Sequence, residues 1–157
     1  MRRAILEQGA MKILCLATFS EYAQLRLNAV WALKHFCYQP DEPVQIEQML
    51  QELGYEQLMK LCDDEDVGVQ EQALSVIRNV MTGEVKCIGL LFEHIGSARL
   101  MKLIVDKLSS PFPEIVAAVP CFFFLRMMTD GRRRIFVYIL GLGRRYIGMH
   151  SSRISMC

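Results

Sequence analysis

No C-x-x-C pair occurs in this 157-residue chain, so the element shared by zinc ribbons and dithiol redox proteins is missing. The six cysteines, Cys15, Cys37, Cys62, Cys87, Cys121 and Cys157, are scattered along the sequence. Several fall where a helical pattern calls for an apolar side chain, and a buried free cysteine behaves as a small hydrophobe. Long apolar runs are missing too. The longest, Ile115 to Leu125, is interrupted by Pro120, whereas a membrane-spanning helix takes about 20 residues. The amino terminus carries Arg2 and Arg3 but reaches Glu7 before any apolar stretch forms, so it does not read as a secretory signal. The expected setting is the cytoplasm and nucleus, without disulfides. Gly141, Gly143 and Gly148 do not have the G-x-G-x-x-G spacing of a phosphate-cradling loop, and Arg144 and Arg145 interrupt them. No Ser/His/Asp or Cys/His set has a recognisable spacing. His35 and Cys37 diverge on a helix, and His94 and His150 have no neighbours that suggest a site. The expectation is a protein that is not an enzyme and has no cofactor, metal or small-molecule substrate.

What the chain does have is repetition. Residues 25–36, LRLNAVWALKHF, align without a gap on 69–80, VQEQALSVIRNV, matching Leu25 to Val69, Ala29 to Ala73, Leu33 to Ile77 and Phe36 to Val80. These positions recur every three or four residues and so form one apolar helical stripe. Upstream, Gly9, Ile13 and Leu16 correspond to Gly54, Leu58 and Leu61, and again to Gly96, Leu100 and Leu103. A helical unit of about 42 to 45 residues punctuated by glycine is the signature of a HEAT or armadillo solenoid, in which each unit buries its stripe only by stacking on a neighbour. The 52% hydrophobic content suffices for such a core in one domain.

The expected fold is therefore all-α, a solenoid of about three repeats over 1–119, with units at about 1–41, 42–83 and 84–119. Helices are predicted near 2–8, 9–18 and 22–38, then 44–53, 55–62 and 67–81, then 84–95 and 97–108, with a last helix opening at Glu114. Pro40 and Pro43 are expected to close the first unit. The acidic run Asp63, Asp64, Glu65 and Asp66 reads as a loop feeding a helix amino terminus, where negative charge is favourable. It lacks the ligand spacing of an EF-hand. At Pro120 the pattern stops, since an interior proline removes a helix hydrogen bond and clashes with the preceding turn. Charge changes at nearly the same place: 1–125 holds 11 Lys/Arg against 16 Asp/Glu, a net of −5, and 126–157 holds 7 against 1, a net of +6. Residues 120–157 thus read as an irregular basic tail. Arg132, Arg133 and Arg134 beside Phe136 and Tyr138 admit a nucleic-acid reading, and an aberrant carboxyl terminus is the reading preferred to it.

Opposite the apolar stripe of 25–36 lie Asn28, Trp31 and His35, three and four residues apart and so on one face. Their counterparts are Gln72, Ser75 and Asn79. The frame of Gly9, Ala29, Trp31, Ala32, Leu33 and His35, repeated through Gly54, Ala73, Ile77 and Asn79, resembles armadillo repeats. LRLNAVWALKHFCYQPDE followed by LGYEQLMKLCDDEDVGVQEQALSVIRNVM looks more specifically like the armadillo scaffold subunits of GID/CTLH ubiquitin ligases, the vacuolar import and degradation type. The resemblance covers about 9–119. Members are several times longer, so the chain looks like a fragment or splice product.

That resemblance implies a non-catalytic scaffold whose partners are proteins, a substrate receptor and a RING-containing ligase core; no membrane partner is expected, and nucleic acid is not the expected partner. In armadillo repeats that grip extended peptides, the matching tryptophan and asparagine line a concave groove. The resemblance accordingly implies a partner-binding face of Asn28, Trp31, His35, Gln72, Ser75 and Asn79. Neither unit keeps the complete pair: His35 stands for the asparagine in one, and Ser75 for the tryptophan in the other. A transport adaptor for localisation signals, or nucleic-acid binding through the basic tail, is the alternative class.

Overall fold

The computed structural model describes residues 9–38, 43–83 and 85–119. Within them the chain is helical, with no strand: α1 (Ala10–Ala17), α2 (Ala23–Cys37), α3 (Pro43–Leu53), α4 (Tyr55–Cys62), α5 (Val67–Thr82), α6 (Val85–His94), α7 (Ser97–Leu108) and α8 (Pro113–Ala118). The expected helix near 2–8 and the basic tail from 120 lie outside the described residues.

The glycines that marked the repeat have a backbone reason to be there. Gly9, Gly54 and Gly96 have φ of 69°, 80° and 87°, a region that costs side-chain-bearing residues steric strain and glycine nothing. Gly54 N–H donates to Leu50 O at 2.9 Å while Gly54 O accepts from Leu58 N–H at 3.1 Å, so this one residue ends α3 and opens α4. Gly96 does the same between Phe92 and Leu100. Pro43, expected to close the first unit, instead opens α3, where a proline's missing N–H would have no partner anyway. Pro113 opens α8 in the same way, one residue ahead of the expected start.

Packing follows the repeat. The third helix of each unit lies beside its equivalent: α2 packs on α5, and α5 on α8, while α3 packs on α6 in an outer tier and α4 and α7 complete the units. Ala29, Leu33 and Phe36 of α2 and Val69, Ala73, Ile77 and Val80 of α5 are buried, the stripe closing between the two helices. Leu25 and the first-unit pair Ile13 and Leu16 depart from the expectation and are exposed, although Val69, Leu58 and Leu61 are buried. Cys15, Cys37, Cys62 and Cys87 are buried. Burial, followed by the charge of Glu52, pushes the Cys15 thiol up to about 11. Burial pushes the Cys62 thiol higher still.

The acidic run is where adjacent units are tied. Asp66 caps α5 by accepting from Val69 N–H at 3.0 Å, the capping role expected of it. Asp64 receives a two-pronged pair from Arg26 of α2, Nε and Nη2 each at 2.7 Å, a geometry that suits guanidinium and carboxylate. Burial alone would push the Asp64 carboxyl up. Hydrogen bonds from Arg26 and the Asp66 backbone, with the Arg26 charge, overcome this and hold it below the usual carboxylate range. Arg26 also donates to Ser20 O and Glu21 O, both at 3.0 Å, and Lys107 of α7 reaches Asp63 at 2.7 Å and Gln70 at 3.0 Å. One loop therefore joins the helices of three units and sets α2 against α5.

Candidate functional site

The third helices expose the edge that their buried stripe leaves over. On α2 the exposed positions are Gln24, Leu25, Asn28, Trp31 and His35, and all but Leu25 form a ridge of three- and four-residue steps that runs down one side of the helix. Gln24 Nε2 donates to Asn28 Oδ1 at 3.0 Å. Trp31, 52% exposed, meets the His35 ring with centroids 4.1 Å apart and planes tilted by 58°. Lys34 Nζ lies over the indole, 5.9 Å from its centroid, within the range of a cation–π contact. An indole left half in water beside a cation is surface chemistry, unlike the core packing tryptophan more often serves.

On α5 the corresponding ridge is narrower because α5 has a helix on either side. Gln72 and Asn79 are partly exposed. Ser75, expected on the binding face, is 3% exposed. Its small side chain sits below the rim set by α2 and α8, so burial removes it from the candidate surface. Asn79 Nδ2 donates to Lys34 O at 3.0 Å. This asparagine thus fastens α5 to α2 with its amide nitrogen, and its carbonyl oxygen remains as an acceptor at the surface. Arg78 Nη1 reaches Ala117 O of α8 at 3.5 Å. The structure therefore brings Trp31, Lys34, His35, Asn79 and Arg78 into one band across the carboxyl-terminal half of the layer. Asn28 and Gln72 lie toward the other half.

Sequence reasoning missed three of these contributors. Gln24 continues the ridge one turn upstream of Asn28 and was legible from the same spacing. Lys34 and Arg78 were not, because each lies beside the ridge on the helical wheel and reaches it only through a long side chain. No cluster of His, Cys, Asp or Glu suited to a metal ion occurs among the described residues. Two clefts of the outer helices, about 440 Å³ beside Lys60, Arg99 and Lys102 and about 520 Å³ beside Lys12, Gln48 and Glu52, are open and shallow.

Residues 7–112 match the family model described as the VID28/GID5 C-terminal domain. GID complex subunit 5 of Schizosaccharomyces pombe is 36% identical over 94 residues, 60% of this chain and 12% of that protein. Armadillo repeat-containing protein 8 of Danio rerio is 37% identical over 81 residues, 52% of this chain and 12% of that protein. The chain thus spans about an eighth of the length of these relatives. Among solved structures, a designed armadillo repeat protein in complex with the peptide (KR)4 superposes with a TM-score of 0.65 at 23% identity, over 74% of this chain and 46% of that one. An engineered protein does so with a TM-score of 0.65 at 24% identity, over 74% and 45%. The fold is that of armadillo repeat proteins, an α-solenoid.

Proposed function

Because the chain belongs to the VID28/GID5 C-terminal domain family, we propose that it is a non-catalytic scaffold segment of a GID/CTLH-type ubiquitin ligase, working in the cytoplasm and nucleus. In this reading the third-helix layer holds a protein segment and so links the substrate receptor to the RING-containing core. The observation that carries it is the surface of α2 and α5. Trp31 stands half exposed on α2, and Asn79, bonded to the backbone of the Lys34 whose ammonium lies over that indole, keeps its carbonyl oxygen as an acceptor. A large flat apolar group next to unsatisfied backbone-matching polar groups is what an extended segment needs, one for its side chains and the other for its peptide bonds. Ser75 has no part in it; Asn28, His35 and Gln72 flank it.

The test is capture of ligase subunits from cells expressing the tagged chain. The wild type is expected to bring down the receptor and RING subunits, and Trp31→Ala to lose at least one of them while keeping its helical circular dichroism. Full capture by a well-folded Trp31→Ala protein would move the interface to the loops or the outer helices. Asn79→Ala is a less clean probe, because it also breaks the bond to Lys34 O.

A further inference from the structure

Charge is distributed differently on the two tiers. Most outer cations are neutralised across units or along a helix: Lys86 pairs with Glu47 at 2.6 Å, Arg99 with Glu56, and Lys102 with Asp106 at 2.5 Å, as Arg26 of α2 is by Asp64. On the third-helix layer neither Lys34 nor Arg78 pairs with a carboxylate among the described residues. Lys34 lies on the Trp31 ring, and Arg78 has only a long contact to a backbone carbonyl. Lys12 of the outer helices has no carboxylate pair among the described residues either, and Lys60 lies near Glu56 on its own helix, but these two stand apart, whereas Lys34 and Arg78 flank the Asn79 that joins their helices. The layer's own carboxylates, Glu71 and Glu114, lie toward the amino-terminal ends of α5 and α8. Positive charge therefore gathers on the same half of the layer as the exposed indole.

We propose that the band formed by Trp31, Lys34, His35, Asn79 and Arg78 binds an extended acidic segment of a partner protein. The proposal rests on the reading of this layer as a binding face and adds the partner's chemistry. Trp31 would cover an apolar side chain of the segment, the Asn79 carbonyl would take a peptide N–H, and Lys34 and Arg78 would each meet a carboxylate. Helix axes about 9 Å apart separate the α2 and α5 parts of the band, a distance that about three residues of an extended segment cover at ~3.4 Å each. A basic localisation signal would instead meet two uncompensated cations, and like charges at close range act against binding. Lys34 is also in the last turn of α2, where a cation offsets the helix dipole, so stability and peptide affinity have to be measured separately.

Trp31 is the only tryptophan, so its fluorescence reports on this band alone. The experiment titrates the 157-residue chain with a seven-residue peptide carrying four carboxylates around one leucine, with its lysine and glutamine counterparts, and with polyuridylate. The acidic peptide is expected to shift the Trp31 emission, to bind at least tenfold more tightly than the lysine peptide, and to weaken with salt. The double variant Lys34→Glu with Arg78→Glu, checked for unchanged thermal unfolding, is expected to reverse that preference. Equal affinity for all three peptides, with a Trp31 response, would overturn the charge assignment and leave the binding face standing. Tighter binding of the lysine peptide would overturn it in favour of an adaptor for basic signals, and polyuridylate binding as tight as the acidic peptide would overturn it in favour of a nucleic acid. Absence of a Trp31 response to every probe would remove the binding face itself.

Discussion

The first and middle units carry the same apolar pattern and use it differently. Leu58 and Leu61 of the middle unit are 0% and 1% exposed, and their equivalents Ile13 and Leu16 are 68% and 61% exposed. Val69 is 0% exposed and its equivalent Leu25 47%. The side chains are of one kind, so composition is not the cause. The middle unit has a neighbour against each side, through α2 on α5 and α8 on α5, while the first unit's stripe meets a described neighbour on one side only. Periodicity reveals which face of a helix is apolar; stacking determines whether that face leaves water.

The largest effects that would break this comparison belong to the shared core. Leu61→Ala, Leu33→Ala or Ile77→Ala each removes a fully buried side chain and is expected to cost about 2 to 5 kcal/mol in urea denaturation. A near-neutral result at any of them would refute the core assignment. Arg26→Ala comes next, because it leaves the Asp64 carboxylate largely buried without its partner; the expected cost at pH 7 is about 2 kcal/mol. Its pH dependence sharpens the test. The folded-state pKa of Asp64 is lowered, so the pair's stabilisation is present above the unfolded carboxylate value of about 3.9. It is lost as pH falls through the folded value. Wild type and Arg26→Ala are therefore expected to differ in unfolding midpoint at pH 7 and to converge near pH 2.

Smaller effects contrast the amino termini of the two long helices. Asp66 caps α5 with its side chain, whereas Tyr22, at the equivalent place before α2, makes no side-chain cap bond. Asp66→Ala is expected to lose about 1 kcal/mol and Tyr22→Asp to gain about 0.5 kcal/mol, both read from thermal melts. The smallest effects are expected at the exposed equivalents. Leu16→Ala and Leu25→Ala should stay within about 0.5 kcal/mol of wild type, and a loss as large as that of Leu61→Ala would show that the first unit's stripe is covered after all.

Much of the fold was legible because its signals are local. Gly9, Gly54 and Gly96 were picked out by spacing, and their positive φ is a property of the residue type. Helix bounds agreed within a residue or two for the same reason: the caps, the prolines and the three-and-four spacing all act within one turn. Pro43 is instructive as an exception, since a proline reads equally as the end of one helix or the first residue of the next.

The candidate site was less legible. Asn28, Trp31 and His35 were found by periodicity on one helix, and they are exposed together on α2. Their counterparts depended on how deeply α5 is enclosed. Ser75 sinks below the rim, Gln72 and Asn79 are half covered, and Asn79 spends its N–H on Lys34. Likewise, the acidic loop was recognisable as a cap from Asp66 alone, but nothing near Asp64 in sequence announces Arg26, which is 38 residues away.

By itself, then, the sequence determined the helices, their turns, the repeat and which side of each helix is apolar, because these depend on interactions within a few residues. Only the tertiary structure decided which apolar side chains are covered, which polar ones are spent on holding units together, and that Lys34 and Arg78, without a carboxylate partner among the described residues, lie on the same half of the layer as Trp31. Those outcomes depend on what a neighbouring unit places within a few ångströms, and residues about 40 positions apart become neighbours only when the units stack.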